Sequence, residues 1–71
     1  MNEANILKAM SEQAGIQVTM EMDIAATGLD SLDLVDIACQ LEAEHSADIP
    51  DAVLEKSKTV REFVAGCLAA R

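Results

Sequence analysis

Ser31 is the first residue to weigh for chemistry, because the run Gly28-Leu29-Asp30-Ser31-Leu32-Asp33 sets its hydroxyl at the start of a helix, where solvent reaches it. A serine nucleophile needs a base to take its proton and a group to orient that base. The only imidazole is that of His45. It stands at the far end of the same helix, about 20 Å away at the helical rise per residue. Catalysis by this chain alone is therefore not expected, and no catalytic residue is assigned. The carboxylates do not fall into the D-x-D-x-D-G spacing of a calcium loop. Cys39 and Cys67 form no C-x-x-C pair and have only His45 for company, so neither a metal site nor a redox motif is indicated. Both are expected as reduced, mostly packed thiols.

The elements that would hold these residues can be read from periodicity. Asn2 can cap a first helix over Glu3–Ala14, with Ile6, Leu7, Met10 and Ala14 at helical spacing and Gly15 as its stop. Ile16-Gln17-Val18-Thr19-Met20 alternates like a strand, yet no second strand is available to pair with it, so it reads as an extended loop lying on the helices. That loop runs on through Met22, Ile24, Ala25 and Ala26 to Gly28, about sixteen residues, well beyond the usual helix-to-helix connection.

From Ser31 to His45 the spacing predicts a helix of about four turns with two apolar stripes. Leu34, Ile37, Ala38, Leu41 and His45 follow one line and are expected in the core. Leu32, Val35, Cys39 and Glu42 follow a second, about a third of a turn away. Either this second stripe is an exposed apolar strip set among Asp33, Asp36 and Glu42, or the helix is central and buried on most sides.

Pro50 then breaks the pattern and pushes Ile49 to an extended conformation. Asp51 can cap a short helix to about Lys56, to which Val53 and Leu54 bring the apolar contacts. Thr59-Val60-Arg61-Glu62 has the form of a capping box and opens a last helix ending near Arg71, with Val60, Phe63, Val64, Cys67 and Leu68 as its stripe. Gly66 inside it costs about 1 kcal/mol relative to Ala. The expected fold is all-α, a small four-helix bundle of three longer helices and one short one, with a long loop between the first and second. One domain spans 1–71.

Composition agrees. Apolar residues make up 51% of the 71 residues and aromatics 1%, so small aliphatic side chains must fill a thin core. The net charge of −8 argues against nucleic acid and anionic membranes, since both call for clustered Lys and Arg. From Glu21 to Glu55 no Lys or Arg interrupts the acids. That section either attracts basic partners or serves as a solvated face. The N-terminus carries neither a cationic start nor an apolar run, and no stretch approaches membrane-spanning length, so a cytoplasmic monomer is expected.

G-L-D-S-L-D-L-V, then L-E-A-E-H, D-I-P-D and E-K-x-x-T-V, in order from Gly28 onward, resembles the acyl carrier protein family. The resemblance implies that Ser31 carries phosphopantetheine through a phosphodiester, flanked by Asp30 and Leu32. The arm's thiol would hold acyl groups as thioesters. A separate phosphopantetheinyl transferase would supply the metal, the coenzyme A and the base. Ser31 is then an acceptor and not a catalyst.

By the same resemblance Asp33, Val35, Asp36, Cys39 and Glu42 would meet basic patches on acyl ligases, synthases or acyltransferases, the same face that periodicity sets apart. The implied function is an acyl carrier of fatty acid, polyketide or specialised lipid synthesis. The alternatives are an aminoacyl (for example D-alanyl) carrier, against which Asp30 counts in the peptidyl branch, and an unmodified acidic adaptor. Three departures stand out. His45 replaces a common aromatic, Ser57 a usual apolar residue of the short helix, and Thr27 a usual leucine. These imply a more polar interior, and with it either a short or polar cargo or weak sequestration of acyl chains.

Overall fold

A computed structural model describes residues 1–70. Its helices are α1 (Glu3–Ala14), α2 (Ile24–Thr27), α3 (Ser31–His45), α4 (Asp51–Lys56) and α5 (Val60–Ala69). The three longer helices are those expected from periodicity, and α4 is the short one. No helix among the described residues is long and apolar enough to cross a membrane. The expected end of the last helix near Arg71 lies outside the described residues.

The long helices are started by reciprocal caps. Asn2 and Asn5 exchange side chain-to-backbone hydrogen bonds at α1, Asp30 and Asp33 at α3, Thr59 and Glu62 at α5. Each pair satisfies amides that the first helical turn leaves without a partner. Gly15, at φ 74°, ends α1 in a left-handed conformation that a side chain would strain.

The first loop differs from expectation. Ile24 to Thr27 forms one helical turn, closed by Gly28 at φ 81°. Just before it, the chain is clamped to the start of α5. The Ile24 amide donates to the Lys58 carbonyl (3.0 Å) and the Val60 amide to the Met22 carbonyl (2.9 Å), an isolated antiparallel bridge between Asp23 and Thr59. Among the described residues, the strand-like segment before it has no such pairing. Val18 is buried and its amide donates to Ser11 Oγ (2.9 Å), while Ile16 is exposed.

α1 packs against α3 and α5, and α4 against α3 and α5. Phe63, the sole aromatic, is fully buried with Ile6, Met10, Ile37, Leu41, Val60, Val64 and Cys67. Three local expectations are corrected. The cap of α4 is Pro50, with no side-chain hydrogen bond, and Asp51 is its first helical residue, acting only as an acid beside the helix dipole. Leu68 is exposed, because the α5 stripe that meets the other helices is no wider than Val60, Phe63, Val64 and Cys67. Of the two thiols only Cys67 is packed, since Cys39 lies on the outer side of α3.

Candidate functional site

The start of α3 is built from its own first turn. Asp30 Oδ1 accepts from the Asp33 amide (2.9 Å), and Asp33 Oδ2 accepts from the Asp30 amide (3.1 Å). Ser31 and Leu32 lie inside that ring, both exposed, Leu32 to 73%. Among the described residues neither of their amides has a hydrogen-bond acceptor, as the first helical positions dictate. α1 reaches the same turn: Gln13 Nε2 donates to Asp33 Oδ1 (3.1 Å). The Asp30 amide, first, and then the Gln13 amide hold the Asp33 carboxyl below its ordinary range.

The two stripes of α3 part as chemistry requires. Leu34, Ile37, Ala38 and Leu41 are buried, whereas Leu32, Val35, Asp36 and Cys39 are exposed on the outer face. The continuation of each stripe departs from this. His45 is half-buried at the rim, 3.8 Å from Glu44 Oε2, in a polar cleft with Asn5, Lys8 and Glu12. Glu42 is half-buried, and its Oε2 accepts from the Ile49 amide (2.8 Å), so its carboxylate serves the turn before Pro50. Asp33 is likewise committed to the cap. Among the described residues, the acid of the strip with no hydrogen-bond or ion-pair partner is Asp36.

A cleft of about 340 Å³ opens beside Ser31, lined by Ser31, Val35, Asp51, Leu54 and Glu55. Val35 and Leu54 give it an apolar lining, and Asp51 and Glu55 add carboxylates. From sequence Asp51 enters only as a helix cap and Leu54 only as an apolar contact, and none of the three α4 residues is assigned to the site. Their spacing of i, i+3 and i+4 marks one face of a short helix, but nothing local says that this face turns toward Ser31. Gln13 had no signal at all.

Two of the three polar departures, Thr27 and Ser57, are satisfied by backbone groups of their own turns. Thr27 is buried, yet its hydroxyl donates to the Ile24 carbonyl (2.6 Å) and accepts from the Leu29 amide (3.1 Å). Ser57 Oγ donates to the Val53 carbonyl.

This arrangement fits a covalently carried phosphate. An exposed hydroxyl stands beside two open amide donors, the neighbouring carboxylates are held by other donors, and a partly apolar cleft can take an arm. His45, at the opposite end of α3, offers no base.

Among solved structures, none matches the chain. A family model described as a phosphopantetheine attachment site matches residues 4–67, nearly the whole length. Domains of this family are carriers on which phosphopantetheine is covalently attached by a transferase, and which interact with partner enzymes instead of catalysing a reaction themselves. The chain belongs to the phosphopantetheine attachment-site family.

Proposed function

We propose that this carrier is an acyl carrier protein, with phosphopantetheine attached to Ser31. The observation that carries the reading is the placement of Ser31 at the first position of α3, exposed, beside open amides and within a family match that spans it. In the transfer, Ser31 Oγ forms a bond to the phosphorus that bears the pantetheine of coenzyme A. The pyrophosphate P–O bond breaks, adenosine bisphosphate leaves, and the hydroxyl proton passes to a base of the transferase. Asp30 and Leu32 frame the serine.

Partner enzymes dock on the outer strip of α3. Leu32 and Val35 supply apolar contact and Asp36 the charge, with Cys39 between them; Asp33 and Glu42 add negative potential from their structural positions. The partners are acyl ligases, synthases or acyltransferases with basic patches, in fatty acid, polyketide or specialised lipid synthesis. Asp30 ahead of the serine counts against the peptidyl-carrier branch of the aminoacyl alternative.

Co-expression with a broad-specificity phosphopantetheinyl transferase, followed by intact mass measurement, tests the assignment. The expected result is a gain of one phosphopantetheinyl group that Ser31→Ala abolishes. A gain that survives Ser31→Ala moves the attachment elsewhere. No gain at all favours an unmodified acidic adaptor.

A further inference from the structure

We propose that Gln13 is a positioning residue for the transfer of phosphopantetheine to Ser31, acting through Asp33. The inference rests on Ser31 being the attachment serine. The cap that frames Ser31 is a ring closed by the Asp30 and Asp33 side chains on each other's amides (2.9 and 3.1 Å). Gln13 Nε2, from the last turn of α1, donates to the remaining Asp33 oxygen (3.1 Å). It is the one side chain from another helix that hydrogen-bonds this turn among the described residues.

Two effects follow. The ring can deform while its helix stays intact, so a tether to α1 fixes the serine relative to the bundle that the transferase grips. The arriving phosphate is negative, and Asp33 is two residues from the acceptor oxygen. With Oδ2 on the Asp30 amide and Oδ1 on the Gln13 amide, both carboxylate oxygens are engaged by donors, and the carboxylate is held in the cap. An uncharged donor at position 13 achieves this, and a carboxylate there would reverse it.

Gln13→Glu keeps the length of the side chain and replaces its donor by a negative acceptor. The test compares wild type, Gln13→Glu and Gln13→Lys in a transferase assay with coenzyme A, reading kcat and KM from intact-mass time courses. Amide chemical shifts of Asp30 and Asp33 and the melting temperature are recorded in parallel. Gln13→Glu is expected to lower kcat roughly fivefold, with a smaller change in KM and shifted Asp30 and Asp33 amides. Gln13→Lys, which restores a donor, keeps kcat within about twofold of wild type on the same scale. Equal losses in both variants, or an unchanged kcat in Gln13→Glu, overturn the role of Gln13 while leaving the attachment reading intact. A wild-type chain that takes up no phosphopantetheine overturns both.

Discussion

Gly66 of α5 faces Val53 of α4 so closely that a methyl group on Gly66 would stand 2.6 Å from Val53 Cγ1 and 3.0 Å from Cγ2. The glycine that weakens α5 by helix propensity is the one that lets α4 lie against it. α4 has no buried residue and no side-chain cap, so this contact and the half-buried Leu54 carry much of its docking. Gly66→Ala gains about 1 kcal/mol of helix propensity but overpacks a stiff β-branched neighbour at about 1–3 kcal/mol. A net lowering of the melting temperature is expected. Val53→Ala in the same chain should reverse part of it, and a Gly66→Ala variant more stable than wild type would show the contact to be unimportant.

Thr27 occupies a buried position by closing two hydrogen bonds on its own turn. Thr27→Val keeps the shape and leaves the Leu29 amide without an acceptor, at a cost of about 1–3 kcal/mol. Denaturant unfolding should show a lower midpoint with an unchanged slope. Because Leu29 immediately precedes the α3 cap, the amide of Asp30 should also exchange faster with solvent.

Two caps carry charge. The Asp33 carboxyl is held low chiefly by the Asp30 amide, and that of Glu62 chiefly by the Lys58 amide and then that of Thr59. A depressed folded-state pKa contributes stability above the unfolded value, here 3.8 for Asp33 and 4.5 for Glu62, and loses it as pH falls below those values through the folded ones. The gap in melting temperature between wild type and the Asp33→Asn, Glu62→Gln double variant should therefore be largest near neutral pH and close on acidification. A gap independent of pH would mean that the charges do not matter to the caps.

The thiols should behave as two different reagents. Burial, and then the charge of Glu42, pushes Cys67 up to about 11, so at neutral pH it is an enclosed thiol with almost no thiolate. Cys39 is exposed. Iodoacetamide should add one carbamidomethyl group to the folded apo chain, at Cys39, and two in denaturant. The same shift predicts that stability falls as pH rises from 9.0, the ordinary thiol value, toward 11, because the unfolded state ionises first.

Asp36, the exposed acid of the outer α3 strip with no hydrogen bond or ion pair among the described residues, should govern encounter with basic partners. Asp36→Lys is expected to slow association with a cognate enzyme by about two- to tenfold at low salt, with the difference shrinking as salt screens it. Leu32→Ala should act mainly on dissociation. Stopped-flow measurement at two ionic strengths separates the two, and an unchanged association rate for Asp36→Lys would remove that residue from the docking strip.

Much of this protein is written locally. The caps at Asn2, Asp30 and Thr59, the stop at Gly15 and the stripes of α1, α3 and α5 need only residues within three or four positions of one another, and these are legible in order along the chain. So is the turn proposed to carry the attachment, since the Ser31 hydroxyl, its open amides and its cap belong to one turn. The turn α2 also had its signals, an acid before it and a glycine after it, but four residues are too few for periodicity to register.

What the tertiary structure decided are the relations between residues far apart in sequence. Periodicity separates the two stripes of α3, but only the positions of α1, α4 and α5 bury one and leave Leu32, Val35 and Cys39 outside. Glu42 is drawn to Ile49 by the turn before Pro50, Gly66 is needed because Val53 arrives there, and Gln13 reaches Asp33 because α1 and α3 lie side by side. A side chain's type states which bonds it can form, and only the packing of helices brings a partner within reach of them.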